Sequence, residues 1–285
     1  MYTTLINAEQ LKHLVHDHKP LMVFDCSFEL MQPKEGDQQY ERVRIAGAVR
    51  ADLDRHLSAK DPAQAVNGGR HPLPTREAFA AWLARVGFQR DMQAVVYDRQ
   101  GANYCGRLWW MLKWVGHEAV AVLDGGLQAW EAVNGMVATG PDLPRVPSAF
   151  QASAPQAQLA TAADVLRRLQ QADQTVIDAR APARFRGEVE PLDPVAGHIP
   201  GALNRPFNLN LGPDGRFKPA DTLRAEFTTL LAGRDPATVV HHCGSGVSAV
   251  PNLLAMEIAG LGRSALYAGS WSEWCSDPTR PMAQG

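Results

Sequence analysis

The 285-residue sequence predicts an α/β protein built from two tandem domains, each a mainly parallel sheet with helices on both faces. Three observations predict it. Short β-branched apolar runs alternate with amphipathic helical patterns, four motifs recur in the same order in both halves, and a proline-rich stretch separates the halves.

Asn7 and Gln10 have the spacing of a capping box and start the first helix. Leu21-Met22-Val23-Phe24-Asp25 reads as a buried strand, and Ala94-Val95-Val96-Tyr97-Asp98 as another. Thr75 caps a helix that carries Phe79, Trp82, Leu83 and Val86 at i, i+3, i+4 and i+7. Trp109, Trp110 and Trp114 share a later helical pattern, which packing explains. Gly140-Pro141-Asp142-Leu143-Pro144-Arg145-Val146-Pro147-Ser148 continues neither helix nor central strand and reads as a linker. The first domain is therefore placed at 1–139, the linker at 140–149 and the second domain at 150–285. In the second half Thr161 and Asp164 form a capping pair, and Leu223, Phe227, Leu230 and Leu231 mark a helix.

The repeats match across the linker. Leu21–Asp25 pairs with Thr175-Val176-Ile177-Asp178, and Ile45-Ala46-Gly47-Ala48-Val49 with Ile199-Pro200-Gly201-Ala202-Leu203. Ala94–Asp98 pairs with Thr238-Val239-Val240-His241-His242, and the run 123–130 with the run 267–274. The offset is about 150 residues, one domain length, so the chain is a tandem duplication.

Composition narrows the class. Apolar content of 45% and charged content of 20% are ordinary for a globular protein, and a net charge of -2 makes no case for nucleic acid or an anionic membrane. No run approaches the ~18 apolar residues of a membrane span. Met1-Tyr2-Thr3-Thr4-Leu5 lacks the features of a signal peptide. Cys26, Cys105, Cys243 and Cys275 show no CxxC spacing, which argues against zinc and a disulfide framework and for a reducing cytoplasm. A monomer is expected, since the duplication already pairs two domains.

The chemistry concentrates at Val239-Val240-His241-His242-Cys243-Gly244-Ser245-Gly246-Val247-Ser248-Ala249. An apolar strand ends, a cysteine follows, and Gly244 and Gly246 permit a tight turn before a helix begins. Pro251 fits within the first turn of that helix, where its missing N–H has no intrahelical partner. Backbone donors and a helix N-terminus favour a thiolate, lowering a cysteine pKa from about 8.5 into the range of about 3.5–7.5. A buried, inert cysteine at a strand end is the alternative. Cys26, Cys105 and Cys275 lack such a loop and read as structural; His241 and His242 read as packed.

The string Cys243-Gly244-Ser245-Gly246-Val247-Ser248-Ala249 resembles the active-site loop of tandem-domain rhodanese-type sulfurtransferases, most of all the mercaptopyruvate branch. Val176–Arg180, Arg184-Phe185, Glu190-Pro191, Gly197–Ala202 and Gly269–Trp274 carry the resemblance along the chain. It implies two rhodanese-like domains of which only the second is catalytic, and Tyr97-Asp98-Arg99-Gln100-Gly101 indeed lacks a cysteine. It further implies that Cys243 takes sulfur from a small-molecule donor as a persulfide and yields it to a thiol, cyanide or a thioredoxin-like protein, without metal or cofactor. Gly244, Gly246, Val247 and Ser248 would line the anion site and Arg184 would bind the donor's acidic group, with Arg186 in reserve.

The same resemblance implies a proton relay of Ser245, His71 and Asp54; structural hydrogen bonding is the other reading of His71 and Asp54. Ser270 matches a serine near the persulfide, or else it caps a helix. Where the mercaptopyruvate branch carries a second arginine after Glu-Pro, this chain has Leu192, which leaves thiosulfate as an alternative donor. The neutral Gly244 and Ser245 point back to mercaptopyruvate, since thiosulfate-type loops place basic residues there. Ala249 stands where a cysteine phosphatase loop needs arginine, which excludes that class. A non-catalytic sulfur-carrier or regulatory module is the remaining alternative.

Overall fold

The structure is a computed structural model that describes residues 1–285. The chain forms two compact units: residues 1–64, 74–156 and 213–217, and residues 65–73, 157–212 and 218–285.

The first unit contains β1 (Leu5–Ile6), α1 (Ala8–His16), β2 (Leu21–Asp25), α2 (Glu35–Arg42), β3 (Arg44–Ile45), β4 (Val49–Arg50), α3 (Arg76–Arg85), β5 (Gln93–Tyr97), α4 (Cys105–Trp114), β6 (Val120–Leu123), α5 (Gly126–Ala132) and β7 (Val137–Ala138). Its parallel sheet runs β1-β6-β5-β2-β4, with β3 and β7 as a separate antiparallel pair. The second unit contains β8 (Gln158–Ala160), α6 (Ala162–Arg167), β9 (Thr175–Asp178), α7 (Pro182–Phe185), β10 (Leu203–Asn204), α8 (Ala220–Leu231), β11 (Val239–His242), α9 (Val250–Ile258), β12 (Ala265–Tyr267) and α10 (Ser270–Trp274). Its sheet runs β10-β9-β11-β12-β8, also parallel throughout. Read from the opposite edge, the two strand orders are the same, which is the duplication seen in three dimensions.

Local chemistry sets the helix starts. Asn7 Oδ1 accepts from Gln10 N while Gln10 Oε1 accepts from Asn7 N, a complete capping box. Thr161 and Asp164 make the same reciprocal pair, and Thr75 Oγ1 accepts from Ala78 N. Pro251 lies in the first turn of α9.

Because helices cover both faces, the central strands are buried end to end: every residue of β5 and of β11 is buried. In the first unit Leu11, Val23, Val95, Tyr97, Leu123 and Trp130 pack together; in the second Val165, Val176, Ile199, Tyr267, Trp271 and Trp274 do. Each fully buried tryptophan removes roughly 150–250 Å² from water, worth about 4–6 kcal/mol before the entropy of ordering it. All ten residues of α4 are buried, so Trp109, Trp110 and Trp114 are core residues, and Trp110 stacks on Trp114 at 5.6 Å.

Candidate active site

β11 is the middle strand of the second sheet, paired with β9 so that His242 stands opposite Asp178, and Cys243 follows at its carboxyl end. In open parallel sheets this is where ligands bind. Cys243 is buried. Its loop is braced against α10: Trp271 N donates to Cys243 O and Ser272 N to Gly244 O, each at 3.0 Å. The amides of Gly244, Ser245, Val247, Ser248 and Ala249 donate to no protein acceptor, although all but Ser248 lie in buried residues. Buried N–H groups are almost always paired, so this cluster of unclaimed donors next to Cys243 is a candidate anion nest.

The equivalent loop of the first unit shows what such a nest holds. There the carboxylate of Asp98 accepts from Gln100 N, Ala102 N, Tyr104 N and Cys105 N at 2.8–3.1 Å. That loop is filled by its own side chain. Where the second unit has Cys243, it carries this carboxylate.

Gly246 makes the turn at φ +73°, and a Cβ there would overlap the carbonyl oxygen of Ala268. Gly246→Ala is expected to cost about 2–4 kcal/mol of stability. Urea unfolding measures it, and a loss below about 1 kcal/mol would show that the loop adapts.

Sequence reasoning assigned Ser270 either to the site or to a helix cap. The cap position of α10 is Gly269, and Ser270 adopts φ +57°, uncommon for a side chain-bearing residue. Its Oγ accepts from Cys243 N at 3.1 Å and donates to Tyr267 O at 3.0 Å. The cap reading is therefore replaced: the hydroxyl fixes the backbone of the cysteine.

Beneath the loop lies a charged network. Arg180 bonds Asp178, Glu190 and Gly197 O. Arg184 donates from Nε and Nη2 to Glu190 at 3.1 and 2.6 Å, and Nη2 also reaches Asp193 at 3.3 Å. Burial disfavours the charged forms of Asp178 and Glu190; His242 and then Arg180 overcome it at Asp178, and the Arg184 hydrogen bond does so at Glu190, so both carboxyls lie below their ordinary values. Arg184 is thus held by the Glu190 side chain beside the loop, with its Nη1 3.5 Å from where a Cβ on Gly244 would stand. Arg186 pairs with Glu188 on the surface, in line with the solvated role favoured for it from the sequence.

His71 packs with the second unit although it precedes the linker by some distance in sequence. Its Nδ1 lies 2.7 Å from Ser245 Oγ, and both residues are buried. Asp54 belongs to the first unit, where its carboxylate accepts from Lys60 Nζ at 2.7 Å. Sequence reasoning passed over Arg70. It binds Asp193, and its Nη2 stands 2.9 Å from a Cβ on Gly244. Its adjacency to His71 was the one available signal.

The other candidates are structural. Burial raises the thiols of Cys26, Cys105 and Cys275, and all four cysteines are free. Burial lowers His241 to about 3, leaving a neutral ring whose Nε2 meets Met256 Sδ at 3.1 Å. His242 is also lowered by burial and sits with Nδ1 3.2 Å from Cys243 O.

A family model of the rhodanese-like domain matches residues 7–133 and again 161–277. The chain belongs to the rhodanese family. The "Probable 3-mercaptopyruvate sulfurtransferase" of Pseudomonas aeruginosa is 45% identical, over 99% of this chain and 98% of its own length. The thiosulfate sulfurtransferase of Rattus norvegicus is 30% identical, over 100% and 97%. The crystal structure of SseA from Escherichia coli, a 3-mercaptopyruvate sulfotransferase, superposes with a TM-score of 0.79 at 31% identity, over 95% of this chain and all of that one. This tandem rhodanese protein is a sulfurtransferase, and it has no helix long and apolar enough to cross a membrane.

Proposed function

We propose that this sulfurtransferase takes the sulfur of 3-mercaptopyruvate as a persulfide on Cys243 and delivers it to a thiol, cyanide or a thioredoxin-type protein. The observation that carries this reading is the pairing of an uncharged anion nest after Cys243 with the 2.7 Å contact between Ser245 and His71. A strongly basic loop would suit a dianion; this one supplies neutral N–H donors and a route for a proton.

In the first half-reaction the Cys243 thiolate attacks the donor's sulfur. An S–S bond forms and the donor's C–S bond breaks, its electron pair passing to carbon as the enolate of pyruvate. The proton of the donor's thiol moves through Ser245 and His71 to that carbon. The persulfide's negative charge lies in the nest of Gly244, Ser245, Val247, Ser248 and Ala249, and Ser270 keeps the cysteine backbone in place. Arg184 holds the donor's carboxylate through the donor group that Glu190 leaves free. In the second half-reaction an acceptor nucleophile attacks the outer sulfur, and Cys243 leaves as thiolate.

Intact-mass measurement after exposure to mercaptopyruvate is expected to show about 32 Da added at Cys243, removed again by cyanide. No adduct would defeat the reading. Thiosulfate is the second reading, favoured by Leu192 after Glu190-Pro191, and by the rat relative's activity; an adduct from thiosulfate alone would select it. The boundaries 1–139, 140–149 and 150–285 belong to this proposal as the two copies and their link, as do a monomeric state and a cytoplasmic location suited to four free cysteines.

A further inference from the structure

We propose that His242 is a positioning residue for Cys243: its ring bridges the Asp178 carboxylate and the cysteine's own carbonyl, and a proton taken up there from water favours the thiolate. This rests on the proposed role of Cys243 as the sulfur-accepting nucleophile, and it gives a task to a histidine that the mechanism leaves unused.

His242 is the last residue of β11 and is wholly buried. A ring so enclosed acts through the groups it is bonded to. The backbone of Cys243 is fastened at three points. Its N–H donates to Ser270 Oγ at 3.1 Å, while its carbonyl accepts from Trp271 N at 3.0 Å and meets His242 Nδ1 at 3.2 Å. A carbonyl only accepts, so the last of these contacts requires a proton on Nδ1. The other ring nitrogen, Nε2, stands 3.6 Å from Asp178 Oδ2 and has no hydrogen-bond partner. Sheet register fixes that approach, because His242 and Asp178 are paired across β11 and β9.

Two protonation states are thus built into one geometry. In the neutral ring Nδ1–H holds the cysteine carbonyl, and Nε2 offers only a lone pair to a carboxylate. A second proton turns that poor contact into an ion pair and leaves the first one intact. The surroundings decide when the proton arrives. Burial brings His242 below its ordinary value; Asp178 and the Cys243 carbonyl oppose that shift, while Arg180 and His198 add to it. His241 is neutral, and the Tyr267 ring, 6.4 Å away, keeps its hydroxyl un-ionised through burial. The ring is therefore neutral at pH 7 and gains its charge as the solution becomes acid. An imidazolium one residue from the sulfur favours the anionic sulfur. Cys243 attacks in the first half-reaction and leaves in the second, as thiolate both times. Sulfur transfer is thereby sustained at a pH where an unaided cysteine would protonate and stop.

The pH dependence of Cys243 alkylation by iodoacetamide, read on the Cys243 peptide by mass spectrometry, tests this without a sulfur donor. His242→Asn retains an N–H near the place of Nδ1 and cannot take up a proton. The ratio of the rate at pH 5 to that at pH 8 is expected to fall about tenfold in this variant, a neighbouring opposite charge changing a thiol's ionisation by roughly that factor. A ratio equal to that of the wild type overturns the inference; an equal slowing at both pH values, as a merely structural role would give, produces that result. Heteronuclear NMR of the His242 ring in the wild-type protein decides the matter even if the variant does not fold. A proton on Nδ1 at pH 8 and on both nitrogens at pH 5 is expected, and an Nε2–H ring at pH 8 or a ring still neutral at pH 5 overturns it. A wild-type protein on which mercaptopyruvate leaves no adduct would sink the persulfide reading, while the alkylation ratio would still decide the role of His242.

Discussion

Cys243→Ser is expected to abolish persulfide formation and to lower sulfur transfer by at least about a thousandfold, with the fold retained. Covalent catalysis ends when the nucleophile is removed, and a hydroxyl at this position is neither ionised at neutral pH nor able to carry sulfur. The substitution exchanges one small buried side chain for another of similar shape, so urea unfolding should move little. Turnover and intact mass together check it. Residual transfer above about a tenth of wild type would place the chemistry on another thiol, and the candidates are poor. Cys26, Cys105 and Cys275 are buried and their thiols are raised by that burial.

Arg180→Ala is expected to have the largest effect on stability, about 3–5 kcal/mol. Arg180 is 2% exposed; it contacts Asp178 at 2.6 Å and Glu190 at 3.3 Å, bonds Gly197 O, and lies 4.8 Å over the Trp271 ring. Truncation strips a partner from two buried carboxylates, and Glu190 is also what positions Arg184. Sulfur transfer should fall as well. The pH dependence has a definite sign. Asp178 and Glu190 have depressed folded values, so the stability they contribute is present above the unfolded carboxyl range near pH 4 and is lost as pH falls through the folded values. The penalty of Arg180→Ala should therefore be largest at neutral pH and shrink in acid. Denaturant titrations at pH 7 and pH 4 measure both; a penalty under about 1 kcal/mol at neutral pH would mean the network relaxes around the gap.

Much of this was legible in the residues. Capping pairs at Asn7 and Thr161, the buried runs of β5 and β11, and the repeat of four motifs are local signals, because caps, strand burial and turns depend on neighbours in the chain. The cysteine loop was legible for the same reason: Cys243 through Ala249 is one short turn whose glycines have a steric purpose. Other features were not. Ser270 was open between two roles until its hydroxyl was found on the Cys243 amide, a contact across 27 residues. Arg186, held in reserve for the site with a solvated surface as its favoured role, pairs with Glu188 on the surface.

Arg70 marks the boundary most clearly. Nothing in Gly68-Gly69-Arg70 announces that the arginine's partner lies more than a hundred residues away, yet the loop belongs to the second unit and its guanidinium shares Asp193 with Arg184. From the chain alone came the duplicated α/β architecture, the single nucleophilic loop and the family, since each is written in contiguous residues whose periodicity and spacing have direct physical meaning. Folding in space decided which charged groups converge beside Gly244. Arginine side chains are long and carry no directional signal in sequence, so their partners emerge only when distant segments are packed against one another.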